Sequence, residues 1–173
     1  RPDRCRTSPA ITTHDRVAAA IGYASAMDIR PFREADAPTV IALWDACALT
    51  RPWNDPAKDI ARKLGVQREL FVVGEADGTL MASAMAGYDG HRGWVNYLAV
   101  HPDFRRQGHG QALMRHVEQG LLALGCPKLS LQVRSSNASV LAFYQALGFG
   151  QDDVVSLGKR LIVDAPPTQG APR

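Results

Sequence analysis

The stretch whose reading decides the fold is Val100-His101-Pro102-Asp103-Phe104-Arg105-Arg106-Gln107-Gly108-His109-Gly110-Gln111. An apolar strand, Gly93 to Val100, ends there, a short loop with two glycines and two arginines follows, and the apolar spacing of Ala112, Leu113, Val117, Leu121 and Leu124 predicts a helix from about Gly108 to Leu124. Glycines without side chains let backbone N–H groups crowd onto a ligand. The first turn of a helix has unpaired N–H donors and a partial positive charge, a combination that suits phosphate or pyrophosphate. Arg105 and Arg106 add cationic donors. An ordinary strand-to-helix turn is the alternative, since an R-x-x-G-x-G pattern arises by chance in roughly one chain in twenty of this length.

Working outward, the elements alternate. Asp28-Ile29-Arg30-Pro31-Phe32 reads as a strand, and Asp36 with Pro38 opens a helix carrying Val40, Ile41, Trp44, Cys47 and Ala48. Asp55-Pro56 repeats the start signal before Ala57, Ile60, Ala61 and Leu64. Leu70-Phe71-Val72-Val73, an Asp77-Gly78 turn, Thr79 to Gly87, a Tyr88-Asp89-Gly90 turn and Gly93 to Val100 form an antiparallel meander. Beyond the loop helix come a strand from Leu129 to Val133, a helix from Asn137 to Leu147 ended by Gly148, and one or two closing strands within Val154 to Val163. The order is β-αα-β-β-β-α-β-α-β(β). It predicts an α/β protein of the α+β kind, with a mixed, mostly antiparallel twisted sheet of six to seven strands flanked by about four helices.

The chain of 173 residues suffices for one domain, and no apolar run approaches the ~20 residues of a membrane span. Its net charge of +3 is uneven: residues 1–26 carry four Arg against two Asp, Arg173 adds one cation, and 27–164 is balanced at 15 basic and 15 acidic. A neutral body argues against nucleic acid as a partner, despite Arg105-Arg106. Three scattered cysteines, Cys5, Cys47 and Cys126, make neither a disulfide framework nor a C-x-x-C site, and no metal site is expected. Residues 1–26 are expected to be a disordered N-terminal extension, a targeting segment being the alternative. The expected domain is 27–164, followed by a disordered Pro-rich tail over 165–173.

Other catalytic signatures are missing: Gly158-Lys159 is followed by Arg160 rather than Ser or Thr, and there is no H-E-x-x-H or G-x-S-x-G. Two motifs in register carry a resemblance instead. Leu98-Ala99-Val100 leading to Arg105-x-x-Gly108-x-Gly110 resembles the acetyl-CoA pyrophosphate loop of GNAT-superfamily N-acetyltransferases and the bulged strand before it. Asn137-x-x-x-x-Ala142-Phe143-Tyr144-x-x-Leu147-Gly148-Phe149 resembles that family's second cofactor segment. The resemblance covers Asp28 to about Val163. Arg51 to Pro56, Gly87 to Gly93 and Ser156 to Ile162 are further similar to the bacterial YpeA-type subgroup.

The resemblance implies acetyl transfer from acetyl-CoA directly to a primary amine of a small molecule or peptide in a ternary complex, with no acyl-enzyme and no metal. Cys47 and Cys126 are then packing residues. Leu98 and Val100 would offer main-chain hydrogen bonds to the pantetheine arm, and the backbone of Arg106, Gln107, Gly108, His109, Gly110 and Gln111, with Arg105 beside it, would hold the pyrophosphate. Asn137 would contact the cofactor, although Asn at that place is also a helix N-cap. Tyr144 would protonate the leaving thiolate, although it also lies on the apolar stripe with Val140, Leu141 and Leu147. The acceptor pocket is expected from Trp53, Asn54, Asp55, Tyr88, Asp89, His91 and Arg92, with Arg51, Arg92 and Arg160 favouring an acidic acceptor.

Freeing a lysine amine of its proton at pH 7 costs about 4.6 kcal/mol and an α-amine about 1. The strand Gly93 to Val100 holds no carboxylate, so the base stays open among Asp89, His91 and a water ordered by Asn96 or Tyr97. His101 reads as structural. The family's cofactor implies a cytoplasmic enzyme, and a homodimer is one assembly the family allows. A weakly catalytic acetyl-CoA-binding sensor module is the alternative function.

Overall fold

The computed structural model describes residues 27–164. The expected leader 1–26 and tail 165–173 lie outside the described residues. Five strands, β1 (Asp28–Pro31), β2 (Phe71–Ala76), β3 (Thr79–Tyr88), β4 (Gly93–Val100) and β5 (Leu129–Ser130), form one sheet in the order β1-β2-β3-β4-β5. The first three pairings are antiparallel and β4-β5 is parallel. The helices are α1 (Ala37–Ala46), α2 (Pro56–Leu64), α3 (His109–Ala123) and α4 (Ala138–Ala146). Among the described residues no helix is long and apolar enough to cross a membrane.

Local chemistry explains most boundaries. Asp77 and Gly78, at φ 51° and 73°, make the two-residue turn that matches strand twist, so β2 and β3 pair without splaying. Asp55 caps α2 by accepting from the N–H groups of Ala57 (3.0 Å) and Lys58 (3.3 Å), with Pro56 at the first helical position. Asp36 corrects its expected role: it makes no side-chain bond to α1. Its carboxylate instead binds the Arg33 N–H (2.8 Å) and both terminal nitrogens of Arg30, whose guanidinium also reaches Glu75. That cross-link ties β1 to β2 and to the turn before α1.

Two apolar clusters cover the two faces of the sheet. One joins Phe32, Val40, Leu43, Trp44 and Ile60 to Phe71, Val73 and Met85, with Phe32 stacked on Phe71 at 4.1 Å. The other joins Leu113, Met114, Val117 and Leu121 of α3, and Tyr144 of α4, to Val72, Ala84 and Val95. Each large side chain so buried contributes roughly 1.5–3 kcal/mol.

The strand count differs from the expected six to seven. Val154 to Val163 forms no strand; Val154, Val155, Leu157, Leu161, Ile162 and Val163 are all exposed, and the run is broken by Ser156 and by Gly158-Lys159-Arg160. The segment is fastened by polar contacts instead: the Asp164 carboxylate on Arg62, Lys58 Nζ on the Asp164 carbonyl (2.8 Å), and Arg160 on the Trp53 carbonyl (2.9 Å). The expected strand Leu129 to Val133 shortens to two paired residues, Leu129 and Ser130, because β4 bends away beyond them.

Candidate functional site

The bend has a definite origin. Asn96 pairs with Met85 and Ala99 with Ser83, so Tyr97 and Leu98 together oppose Ala84, and Tyr97 takes a left-handed φ of 50°. A bulge loosens the ladder locally. The buried Ser83 hydroxyl donates to the Tyr97 carbonyl (3.3 Å) and accepts from Trp44 Nε1 (2.9 Å), while the Trp44 and Tyr97 rings stack at 3.9 Å. Beyond Gly93↔Leu129 and Trp94↔Ser130, β4 and β5 part. The N–H of His101 donates to the Met81 carbonyl (2.8 Å), and antiparallel alternation then turns the polar backbone groups of Val100 away from β3, toward the opening. The Val100 carbonyl already accepts from Arg105 Nε (3.1 Å) and from the Cys47 thiol (3.3 Å).

The loop after β4 reverses tightly. His101 Nδ1 accepts from the Asp103 N–H (3.4 Å), a structural role as expected. Arg106 (φ 66°) and Gly108 (φ 84°) are left-handed, and Gly108 is the N-cap of α3. A Cβ at Gly108 would meet nothing within 4 Å, so glycine serves the backbone conformation there and leaves open space above it. A Cβ at Gly110 would lie 3.2 Å from Phe143, because the start of α3 packs directly on α4. The Gly108 carbonyl takes the Ala112 N–H (3.0 Å), which leaves the N–H groups of His109, Gly110 and Gln111 as first-turn donors. Arg105, Arg106 and Gln107 are exposed beside them. This cradle of donors and open space fits a pyrophosphate.

On α4, the Asn137 side chain caps the helix, accepting from the Val140 N–H (3.3 Å), and its residue is exposed. Tyr144 is buried among aromatic edges, Phe143 at 5.0 Å and Phe149 at 5.4 Å between ring centroids. Among the described residues no group hydrogen-bonds its hydroxyl, and burial alone pushes the phenol up to about 12.

On the opposite face, Tyr97 donates its O–H to Asp59 Oδ2 at 2.7 Å. Burial first, and then the Asp59 carboxylate, raise this phenol to about 12 as well. Asp59 also accepts from Arg62 Nη1 (3.2 Å). A cavity of about 640 Å³ lies between α2 and the C-terminal segment, lined by Asn54, Asp59, Arg62, Arg160 and Asp164 among others. Of the expected acceptor residues, Asn54 lines it, Asp55 is occupied as a cap, and Trp53 is half exposed with its carbonyl on Arg160.

The β3-β4 hairpin residues stand elsewhere, at the start of β4, and line none of that cavity. Asp89 is engaged by the N–H groups of His91 (2.7 Å) and Arg92 (2.6 Å) and by Trp94 Nε1 (3.1 Å). Those donors hold its carboxyl below the usual range, led by the Arg92 and His91 amides, which suits a turn anchor better than a base. The Tyr88 hydroxyl donates to the Gly90 carbonyl (3.1 Å), and Arg92 to the His91 carbonyl (2.9 Å). Sequence reading missed Asp59, Arg62, Asp164, Ser83 and the Cys47 contact. Apart from the Asp59–Arg62 pair one turn apart on α2, their partners lie far along the chain, and no local pattern marks those contacts.

A strand split by a bulge thus opens beside a glycine loop at a helix N-terminus within a mixed sheet. Residues 20–149 match the model of the acetyltransferase (GNAT) family. An acetyltransferase of Yersinia enterocolitica is 51% identical over 138 residues, covering 80% of this chain and 98% of that protein. One from Pectobacterium atrosepticum matches to the same extent. Among solved structures, the ribosomal-protein-S18-alanine N-acetyltransferase from Escherichia coli superposes with a TM-score of 0.62 at 30% identity, over 73% of this chain and 79% of that one. The chain belongs to the GNAT acetyltransferase family.

Proposed function

We propose that the enzyme transfers the acetyl group of acetyl-CoA directly to a primary amine, small or peptidic, in a ternary complex. The observation that carries this reading is the opening between β4 and β5 where it meets the Arg105–Gln111 loop and the first turn of α3. Acetyl-CoA supplies an activated thioester. The N–H groups of His109, Gly110 and Gln111 would hold its pyrophosphate, with Arg105 and Arg106 as charge-assisted donors. Val100 turns main-chain groups toward the opening as an added strand requires. Leu98, within the bulge, would likewise offer main-chain hydrogen bonds to the pantetheine arm.

Tyr144 is the proposed proton donor. A phenol raised to about 12 keeps its proton at neutral pH, and a hydroxyl with no hydrogen-bond partner among the described residues has that proton free for the leaving sulfur. Asn137 spends its side-chain oxygen on the helix cap, so its amide N–H₂ is what remains for the cofactor. The acceptor approaches from the α1-α2 face, past Asn54 and Trp53. The alanine acetyltransferase among the structural relatives supports placing N-terminal peptide amines beside small amines as acceptors. Cytoplasmic placement follows from the cofactor's location.

The test is calorimetric titration of the full chain with acetyl-CoA, CoA and ATP, then thiol release over a panel of amines and N-terminal peptides. Acetyl-CoA binding with turnover of one amine class, abolished by Tyr144→Phe, is the expected result. Binding without turnover on any amine identifies a sensor module instead, and absence of binding overturns the reading.

A further inference from the structure

The acceptor's proton needs a destination; β4 holds no carboxylate, and the hairpin's one carboxylate, Asp89, is tied into its own turn. Three carboxylates, Asp55, Asp59 and Asp164, stand near the α2 face, and Asp89 stands apart on the β3-β4 hairpin. Asp55 caps a helix, and Asp89 is held by three donors. Both oxygens of Asp164 are taken by Arg62, and Arg62, Lys58 and Arg160 together hold it well below the usual range. Asp59 differs. One oxygen receives the Tyr97 hydroxyl at 2.7 Å and the other a 3.2 Å bond from an arginine already committed to Asp164. A carboxylate has about four lone-pair sites, so two remain. Asp59 faces the cavity, and its Tyr97 partner sits on the bulge itself.

We propose that Asp59 binds the acceptor's ammonium group and takes its proton. The inference rests on the acetyl-transfer reading above. One proton of R–NH₃⁺ passes to the Asp59 carboxylate and from there to solvent. The freed nitrogen pair forms the N–C bond to the thioester carbonyl, and the C–S bond breaks. The second proton shed by nitrogen balances the one that Tyr144 delivers to sulfur. Around Asp59 stand Tyr97 from β4, Asn54 before α2, Arg62 within α2, and Lys159, Arg160 and Asp164 from the C-terminal segment, with Lys58 beside Asp164. Tyr97 orients the carboxylate and, at about 12, stays protonated as it does so.

A carboxylate paired with an ammonium has the same proton count as a neutral pair. The full chain should therefore show kcat/KM for n-butylamine flat with pH between the carboxylate and amine pKa values. Asp59→Asn should lower kcat/KM at pH 7 about 100-fold and turn the plateau into a rise of tenfold per pH unit, because only free amine then reacts. Asp59→Glu should restore the plateau. Tyr97→Phe should cost about tenfold while leaving the plateau in place. Titration with n-butylammonium, with and without CoA, should reveal binding weakened at least tenfold by Asp59→Asn. An unchanged profile or unchanged ammonium affinity in Asp59→Asn overturns the proposal, as does absence of ammonium binding in the native chain. Failure of every amine in thiol release, with ammonium binding at Asp59 intact, counts against the acetyl-transfer reading alone.

Discussion

Tyr97 and Tyr144 lie on opposite faces of one sheet, and burial raises both phenols to about 12. Tyr97 is bound into a network: its ring lies on Trp44, its carbonyl takes the Ser83 hydroxyl, and its own hydroxyl goes to Asp59. Tyr144 is held by ring edges and apolar packing, and among the described residues its hydroxyl has no hydrogen-bond partner. A phenol that gives its hydrogen bond to the protein fixes a backbone shape. One held by shape alone keeps its proton for a ligand. Similar acidity therefore says little about role, and the partner of the hydroxyl says more.

The largest test of that contrast is Tyr144→Phe. It should lower kcat by roughly 10²–10⁴-fold with a melting curve close to native, since the ring packing survives. A variant with native kcat would reduce Tyr144 to a core residue. Next is Gly108→Glu, which places an anion and a side chain at a left-handed position beside the α3 donors. Acetyl-CoA affinity should fall about 100-fold by calorimetry, and an unchanged isotherm would remove the loop from the cofactor site.

Ser83→Ala tests the opposite face. It leaves Trp44 Nε1 and the Tyr97 carbonyl without their buried partner, at a cost of about 2 kcal/mol in urea unfolding. Loss well below 0.5 kcal/mol would mean that the bulge stands without its bolt. The smallest effect lies outside the site. Arg30 holds Asp36 below the usual carboxylate range. A depressed folded value means the stabilisation is complete above the unfolded pKa near 3.9 and disappears as pH falls through the folded value. Asp36→Asn should therefore cost about 1 kcal/mol at pH 7, with the gap to the native chain closing toward pH 2.

How far the chain could be read follows the same division. The 101–111 loop works through backbone, and backbone geometry leaves a local mark: glycine where φ is positive, and a helix starting beside it. Asp55-Pro56 and Asp77-Gly78 were legible for the same reason, each being a bond or a dihedral within a few residues. Asp59 and Tyr97 are 38 residues apart, and Trp44 and Ser83 are 39 apart. Nothing in Gly93-Trp94-Val95-Asn96-Tyr97-Leu98-Ala99-Val100 marks the extra residue by composition. The bulge entered only through family resemblance. Val154 to Val163 misled in the other direction. Its apolar residues have strand propensity, but propensity describes fitness for a pleated, half-buried surface, and the described chain offers that segment none.

The Trp44 contact also gives the protein an internal optical reporter. Three tryptophans occupy three settings: Trp44 fully buried against Tyr97, Trp94 39% exposed at the start of β4, and Trp53 half exposed, next in the chain to the cavity-lining Asn54. Trp44 emission, blue-shifted and shielded from aqueous quenchers, should follow the geometry of the bulge, while Trp53 should be quenched by acrylamide until a molecule fills that cavity. Occupancy at the two faces of the cleft then becomes separable in a single cuvette without any label, and the order in which donor and acceptor arrive can be followed in stopped flow.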